Sequence, residues 1–423
     1  MRRLLPKVLR LLLSGKNKPF VFEPQEVIYP PNPSGIHLYV HLPFCRRICP
    51  FCPYVKAAYD PKQSAAYQRA LIRELEGHRG RWGKIKVESV YFGGGTPSLT
   101  PEIVSETLEW LKRNFRLGGE VGVEVHPLDA TDSVLKSLKD SGVNMVSLGV
   151  QTFNDSLLKV LGRDYNAKLA KEACRRVMGA GFATVDFDLI FAIPGQSVDE
   201  VEKDIAAAVK LGADQVSAYP LMFFDYMPFK KELERAKADM PGRWSEREML
   251  NVAAATASAA GYRRTSIWSF NKPEARRYTT VTKDSFVGVG VGASTMMGDY
   301  FSLNTFSLPE YIAGTERGLK PALATKLDDR DKLAYWLFWR CYDLVIDTGK
   351  LKSLFGRGLP AHIKGLLPFL ELFELIERKG DIIRLTRRGA YIFHLIEKGY
   401  THAYLERLWE ACLREAWPKR VVI

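Results

Sequence analysis

Three of the six cysteines in this 423-residue chain lie within eight positions of one another. Cys45, Cys49 and Cys52 follow the spacing C-x3-C-x2-C. A closed structural zinc site needs four ligands, usually from two separated pairs, and no second C-x-x-C or C-x-x-H pair follows downstream. A cubic iron–sulfur cluster takes one thiolate per iron, so three thiolates would leave the fourth iron open to an exchangeable ligand. The spacing therefore predicts a catalytic cluster.

The alternative is that these cysteines are ordinary core residues, because cysteine is often buried. Core cysteines rarely lie on a loop bracketed by prolines, and this loop contains Pro43, Pro50 and Pro53. The closely spaced set therefore favours the cluster. Cys341 and Cys412 lie in apolar helical patterns, where we expect plain core packing.

From Ile36 onward, short strand patterns alternate with helical patterns about six times. Alternation of this kind specifies parallel strands joined by crossover helices. A closed eight-fold barrel would need more chain before the pattern breaks, so we predict an α/β fold with a partial, open (β/α)6 barrel. Four segments are expected: a basic arm and Pro-rich linker (1–35), the barrel (36–270), an extended Gly-rich segment (271–322) and a mainly helical, winged-helix-like domain (323–423).

The segment HLYVHLPFC with its cysteines, followed about forty residues on by FGGGTPS, resembles the radical SAM superfamily. It is most similar to the branch that holds oxygen-independent coproporphyrinogen III oxidase, the haem chaperone HemW, and radical methyltransferases and cyclopropanases. The resemblance covers about residues 36–312 and implies the same partial barrel. It also implies a [4Fe-4S] cluster on the three cysteines, S-adenosylmethionine (SAM) in one or two copies, and an external one-electron donor such as flavodoxin or ferredoxin.

The resemblance further implies roles for residues at matching positions. Seven are implied to contact SAM: Gly94, Gly95, Thr96, Glu124, Gln151, Arg163 and Asp188. Two are implied to face the substrate side: Tyr39 and His41. The charged members could instead form a salt-bridge network. Polar groups at the mouth of a parallel barrel usually serve a site, which favours the functional interpretation.

The implied chemistry is reductive cleavage of SAM to a 5′-deoxyadenosyl radical that abstracts a hydrogen atom. Two departures from the branch bear on the substrate. Pro53 and Tyr54 follow the third cysteine, where the decarboxylase has a further cysteine nearby and the chaperone has Asp-Phe. The chaperone-type HN-x-x-YW element is replaced by RRYTTVTK at 276–283. We therefore expect methyl or methylene transfer to an apolar or conjugated acceptor. The alternatives are oxidative decarboxylation of a porphyrinogen and haem delivery.

The net charge of +13 suggests an anionic partner. Residues 1–18 carry six of the basic residues and no acid. Leucines on the opposite face of a helix would let this arm lie on an anionic membrane surface, although an ordinary packing helix is an equal alternative. No run approaches the ~20 apolar residues of a membrane span, and the arm lacks the features of a secretory signal. We expect a cytoplasmic protein, located at the membrane surface if the arm docks, with a small-molecule or lipid-like substrate.

The C-terminal segment combines helices with a KGD turn and a basic strand, a pattern that resembles a winged helix. Such modules often bind DNA. A nucleic-acid binder would account for the positive charge but not for the clustered cysteines. We therefore expect this domain to cover the barrel mouth, and we do not expect nucleic acid as a partner.

Overall fold

The computed structural model describes residues 19–235, 239–279 and 282–423. Its strands are β1 (Val21–Phe22), β2 (Ile36–Leu42), β3 (Phe44–Cys45), β4 (Ala57–Ala58), β5 (Lys86–Gly94), β6 (Arg116–Val125), β7 (Met145–Gln151), β8 (Thr184–Phe191), β9 (Gln215–Pro220), β10 (Arg263–Arg264), β11 (Ser269–Asn271), β12 (Val287–Val289), β13 (Ser294–Met297), β14 (Tyr300–Leu303), β15 (Leu323–Lys326), β16 (Val345–Asp347), β17 (Ile376–Lys379), β18 (Ile382–Leu385) and β19 (Val421–Val422). Its helices are α1 (Pro61–Trp82), α2 (Pro101–Asn114), α3 (Asp132–Asp140), α4 (Asp155–Val160), α5 (Ala167–Gly179), α6 (Val198–Lys210), α7 (Pro228–Arg235), α8 (Arg243–Ala259), α9 (Leu308–Glu316), α10 (Asp329–Tyr342), α11 (Thr348–Phe355), α12 (Ala361–Leu372), α13 (Arg387–Tyr400) and α14 (Glu406–Arg414).

One sheet carries the site. Strands β2, β5, β6, β7, β8 and β9 lie side by side in chain order, and each is parallel to the next. Helices fill the connections between them, so the predicted (β/α)6 arrangement is confirmed. Because all six strands run in one direction, their carboxyl ends meet at one edge, where an active site of this architecture is built.

The sheet extends beyond the six predicted strands. On one side β12 joins β2 in parallel, and on the other β11 and β10 add an antiparallel hairpin to β9. In the part of the chain that the structure describes, β10 and β12 are the two outer strands and do not pair with each other. The barrel is therefore open.

Local sequence explains why the elements begin where they do. The barrel strands are largely buried and rich in apolar residues, as parallel strands between layers must be, but β8 and β9 also bury Asp186, Gln215 and Ser217. Helix α6 opens with a reciprocal capping box, in which Ser197 and Glu200 each bond the backbone of the other. Asn154 and Asn166 cap α4 and α5 through their side-chain oxygens. These caps satisfy backbone donors that the first helical turn leaves unpaired.

The C-terminal part has the winged-helix pattern expected from the sequence. Helices α10, α11 and α12 are followed by the hairpin β17–β18, and β16 pairs antiparallel with β18. Helix α13 then packs on the barrel. His394 of α13 accepts a hydrogen bond from the Trp268 indole (3.0 Å) and bonds Glu246 of α8 (3.1 Å), all of them buried. These bonds hold the C-terminal helices against the barrel edge.

The described chain begins beside its own end, because β1 pairs antiparallel with β19. The basic arm, residues 1–18, lies outside the described residues. Among the residues described, no helix has both the length and the apolar composition needed to cross a bilayer.

Glu74 of α1 connects three separate parts of the barrel edge. Its carboxylate accepts hydrogen bonds from the Gly290 backbone (2.8 Å), the Asn304 amide (2.8 Å) and the Tyr311 hydroxyl (2.6 Å). Burial raises the pKa of Glu74 to about 7, although the three donors act to lower it. The residue therefore pins the segment after β12 and helix α9 to α1.

We expect Glu74→Gln to lower the free energy of unfolding by about 1–3 kcal/mol, because the new amide NH2 must face one of the three donors. The pKa of Glu74 is higher in the folded than in the unfolded chain, so its contribution is complete below about pH 4.5 and is lost as pH rises through 7. The difference in free energy of unfolding between the unchanged chain and Glu74→Gln should therefore be largest near pH 5 and smallest near pH 8. Urea unfolding at several pH values measures it, with the exposed neighbour Glu76→Gln as control. An equal effect of both variants would contradict this role.

Candidate active site

The three cysteines lie on one loop that leaves the end of β2. The loop returns to itself through β4, which pairs in parallel with β3, and the Cys52 amide donates to the Cys49 carbonyl (3.3 Å). Cys45 is buried, while Cys49 and Cys52 are half-buried. All three are free thiols, and their charges act on one another closely enough to affect the pKa values of Cys45 and Cys52. The structure therefore brings the predicted ligands together.

Two polar side chains point at these sulfurs. The Thr96 hydroxyl donates to Cys45 Sγ, and the Arg163 guanidinium donates to Cys49 Sγ, each at 3.5 Å. Burial raises the pKa of Cys45 to about 11, and the Thr96 hydrogen bond partly opposes this. Burial also raises the pKa of Cys52. Thiols in such a setting ionise when a positively charged metal centre binds them.

The glycines after β5 allow the cysteine loop to pack against the sheet. Gly94 has φ +116°, and a Cβ atom there would lie 2.5 Å from the ring of His41. A Cβ atom on Gly95 would lie 2.5 Å from the backbone of Pro43. The close approach is fixed by the bonds from Gly95 N to Leu42 O (2.7 Å) and from Thr96 N to Phe44 O (2.8 Å). Residues without side chains are therefore required at this contact.

The structure places His41 within this packing. Its Nε2–H donates to the Val55 carbonyl (2.9 Å), and its Nδ1 accepts from the Tyr39 hydroxyl (3.3 Å). Burial lowers the pKa of His41 to about 4, so the ring is neutral. One ring nitrogen thus ties the cysteine loop to β2 through Val55, and the other bonds Tyr39 within β2. Tyr39 also lies beside Gly93 and the buried pair Tyr91 and Tyr278.

Two carboxylates lie on β6 and β8, the two strands that flank β7. Glu124 of β6 accepts from the Gly94 amide (3.1 Å), and Asp188 of β8 accepts from the Ser147 hydroxyl. Burial and repulsion from Asp188 raise the pKa of Glu124 to about 7. Burial raises that of Asp188 to about 6, and Arg163 acts to lower it. The two acids therefore face a common low-dielectric space, where a cation would be strongly attracted.

Arg163 and Gln151 complete the predicted set. Arg163 stacks over the rings of Phe51 (5.3 Å) and Tyr165 (5.7 Å), and its Nε has no hydrogen-bond partner in the structure. Gln151 ends β7 in the left-handed region with φ +68°. A Cβ atom on Gly149 would lie 2.9 Å from the Gln151 amide and 3.7 Å from the Arg163 guanidinium. A buried guanidinium with an unpaired N–H is suited to an anionic ligand group.

Sequence reasoning missed a group of tyrosines that face the same space. Tyr54 is 54% exposed and Tyr219 is 36% exposed. Burial nevertheless raises the pKa of each, and Asp188 acts on both. We call the space bordered by these tyrosines, Glu124 and Asp188 the lumen. Glu397 of α13 is a further acid that the sequence did not identify. Its charge contributes to the raised pKa of Tyr54.

A cleft of about 390 Å³ lies elsewhere, between β13 and the helices α10 and α11. Met296, Trp336 and Phe355 are among its lining residues, and it includes none of the predicted site residues. The lumen rather than this cleft is therefore the candidate active site.

Comparison with known proteins agrees with this geometry. The radical SAM superfamily profile matches residues 39–208. The heme chaperone HemW of Lactococcus lactis is 30% identical over 296 residues, covering 68% of this chain and 77% of the relative. The chain belongs to the radical SAM superfamily, in the branch of HemN and HemW.

Two further similarities extend across most of the chain. The oxygen-independent coproporphyrinogen III oxidase of Pseudomonas aeruginosa is 28% identical over 384 residues, covering 84% of this radical SAM protein and 81% of the relative. The structure of Escherichia coli coproporphyrinogen III oxidase (HemN) superposes with a TM-score of 0.76 at 22% identity, covering 90% of this chain and 94% of that one. The second similarity confirms the fold.

Radical SAM proteins use a [4Fe-4S] cluster and SAM, and the residues present fit both. Three thiols on one loop have hydroxyl and guanidinium donors to sulfur, as cluster ligands commonly do. Among the described residues, no three Cys, His, Asp or Glu side chains converge on a point that would hold a single ion. Cluster thiolates each bind a different iron, so they need no such point.

We expect Gly94→Ala to displace the cysteine loop, because its Cβ would collide with His41 and its φ is in the left-handed region. The free energy of unfolding should fall by about 1–3 kcal/mol. Iron bound after anaerobic reconstitution should fall with it. The matched control is Gly119→Ala, since nothing lies within 4 Å of a Cβ at that position. Normal iron content in Gly94→Ala would show that the loop tolerates the displacement.

Proposed function

We propose that Cys45, Cys49 and Cys52 bind the cluster of this radical SAM enzyme. The support is their position on one loop with the Thr96 and Arg163 donors directed at sulfur. With SAM bound, the cluster supplies the electron that cleaves the sulfonium and releases a 5′-deoxyadenosyl radical. An external one-electron donor such as flavodoxin or ferredoxin supplies that electron in turn.

We further propose that the residues around the loop bind SAM. SAM carries an ammonium group, a sulfonium and a carboxylate. Glu124 and Asp188 match the positive groups or the ribose hydroxyls, and Arg163 matches the carboxylate. The amides of the Gly94–Thr96 turn and the Gln151 amide lie beside them. His41 bonds the cysteine loop at Val55, and Tyr39 bonds His41 from within β2. Burial of this set excludes water, which the radical chemistry requires.

For the substrate we propose an apolar or conjugated acceptor that is neutral or cationic. The observation that carries this is the lining of the lumen. The charged groups that raise the pKa of Tyr54 most are Glu124, Cys52, Asp188 and Glu397. Acids also raise the pKa values of Tyr39, Tyr219 and Tyr278. The cations near this set are Arg163, which acts on Asp188, and Lys56, which donates to the Tyr54 carbonyl (3.2 Å).

Coproporphyrinogen III carries four propionate groups, and carboxylates are bound in proteins by arginine and lysine. An acidic, phenol-rich lumen would repel such a polyanion. In addition, Pro53 and Tyr54 follow Cys52 in this chain, where the decarboxylase has a further cysteine nearby. We therefore favour carbon-centred alkyl transfer, either methylation or cyclopropanation. Alkyl transfer of this kind would use two SAM molecules, one as the alkyl donor and one as the source of the radical.

Haem delivery is a second candidate, because the chaperone HemW of Lactococcus lactis is similar to most of this chain. A chaperone of this kind would bind haem with little turnover of SAM. Haem also carries propionates, so the acidic lumen weighs against it as well.

The products formed from SAM distinguish these functions. Reconstituted protein with SAM and dithionite, offered a quinone-like acceptor, should yield S-adenosylhomocysteine together with 5′-deoxyadenosine, because alkyl transfer consumes one SAM as methyl donor. Liquid chromatography with mass spectrometry measures both. Coproporphyrinogen III as substrate should give neither carbon dioxide nor faster SAM cleavage. 5′-Deoxyadenosine with carbon dioxide alone would establish decarboxylation, and a haem Soret band with little turnover would establish the chaperone.

Cluster ligation is tested independently of the substrate. Cys45→Ala, Cys49→Ala and Cys52→Ala should each abolish SAM cleavage, because loss of one thiolate leaves one iron unheld. Intact protein should bind about four irons per chain on anaerobic reconstitution. The matched controls are the three cysteines outside the loop, Cys174, Cys341 and Cys412. Iron analysis and absorption spectra give the readout. Loss of the cluster in Cys174→Ala but not in Cys49→Ala would reverse the assignment.

A further inference from the structure

Residues 276–279, the described start of the segment that replaces the chaperone-type element, cross the barrel at the end opposite its cysteines. The Thr184 hydroxyl, on the first residue of β8, donates to the Arg276 carbonyl (3.1 Å). Gln215, the first residue of β9, accepts from the Tyr278 amide (2.9 Å) and donates to the Tyr278 carbonyl (3.0 Å). Because β8 and β9 are parallel, both contacts lie at the amino ends of the strands. Tyr278 is therefore held at the inner end of the barrel.

The ring of Tyr278 points into the barrel interior. It packs edge-on against Tyr91 of β5, with ring centroids 5.2 Å apart, and a Cβ atom on Gly122 of β6 would lie 2.8 Å from it. Gly122 and Glu124 lie on the same face of β6, because side chains alternate along a strand. Tyr278 is 8% exposed, and its hydroxyl has no hydrogen-bond partner among the described residues. An unpaired phenol hydroxyl thus lies inside the barrel, below the face that Glu124 borders.

Asp186 contributes a second unpaired group to this interior. It lies on the same face of β8 as Asp188, is 1% exposed, and is buried more deeply in the barrel. Its Oδ2 accepts from the Gln215 amide and the Ser217 hydroxyl, both at 2.8 Å, while its Oδ1 has no partner within the described chain. The orientation of Gln215 is fixed, because its Oε1 must accept from the Tyr278 backbone N–H. One amide therefore ties Asp186 and Tyr278 into a single cluster.

Both unpaired groups are hydrogen-bond donors. Burial, with repulsion from Asp188, raises the pKa of Asp186 well above its usual range, so this carboxyl is neutral. Because Oδ2 already accepts two hydrogen bonds, the proton belongs on Oδ1. Burial also raises the pKa of Tyr278, so its hydroxyl keeps its proton. A carboxylic acid kept neutral by burial can donate to a carbonyl oxygen together with a phenol. A carbonyl oxygen has two lone pairs and no proton, so it can accept from both groups.

We propose that Asp186 and Tyr278 form a subsite that binds a carbonyl oxygen of the acceptor. This inference rests on the conjugated acceptor proposed above and narrows it to a quinone or an aryl ketone whose carbonyl points to the inner end of the lumen. Both residues contact the substrate and determine its specificity. An ammonium group fits less well, because it offers only donors to two groups that also donate.

Binding of α-tetralone, a bicyclic aromatic ketone, tests the subsite, with tetralin as the hydrocarbon of the same ring system. The reconstituted full chain is used with SAM and without reductant, so that no turnover occurs. Tyr278→Phe should weaken the binding of α-tetralone about tenfold, as expected for one lost hydrogen bond, and should leave that of tetralin unchanged. Calorimetry measures both affinities. Isotope-edited infrared spectroscopy should show a lower carbonyl stretching frequency in the full chain than in Tyr278→Phe.

Two substitutions separate a donor at Asp186 from an anion. Asp186→Asn keeps a donor where Oδ1 lies and should retain α-tetralone binding, whereas Asp186→Ala should weaken it about tenfold. The matched control for Tyr278 is Tyr91→Phe, which removes a hydroxyl that is already bonded to Glu120 from the other ring of the pair. It should leave the carbonyl frequency unchanged. Iron content and circular dichroism establish that each variant is folded.

The same carbonyl frequency and α-tetralone affinity in Tyr278→Phe and the full chain would overturn the proposal, as would no binding of α-tetralone by the full chain. An equal loss in Asp186→Asn and Asp186→Ala would show that Asp186 acts as an anion and would also overturn it. These outcomes are independent of the reaction type, which the formation of S-adenosylhomocysteine decides. Alkyl transfer could therefore hold while this subsite fails.

Discussion

The close approach of the turn after β5 to the segment after β2 is the contact on which the site depends. Gly94 and Gly95 lie where any side chain would overlap His41 or the backbone of Pro43. The hydrogen bonds from Gly95 and Thr96 to the β2 segment then fix the start of the cysteine loop. Thr96 follows directly, so its hydroxyl is directed at Cys45. The glycines therefore determine the position of the thiols as well as the shape of the turn.

Enclosure is the second physical feature of the site. Carboxylates are normally solvated, yet burial raises the pKa values of Glu124 on β6 and Asp188 on β8. The C-terminal helices contribute to this enclosure, since Glu397 of α13 acts on Tyr54 and Tyr342. One oxygen of Glu397 is buried without a partner, and burial raises its pKa to about 7. The lumen is therefore built jointly by the barrel and the C-terminal helices.

The sequence alone was sufficient for the parts of this protein that depend on local pattern. The spacing of Cys45, Cys49 and Cys52 and the sixfold alternation predicted the clustered thiols and the barrel, because loop spacing and hydrophobic period act over a few residues. The proximity of Glu124, Arg163 and Asp188 came from the resemblance, and the structure brings them together. The contributions of Tyr54, Tyr219 and Glu397 to the lumen were decided by tertiary structure. They lie far apart in the chain, and only the folding of the C-terminal helices onto the barrel encloses them.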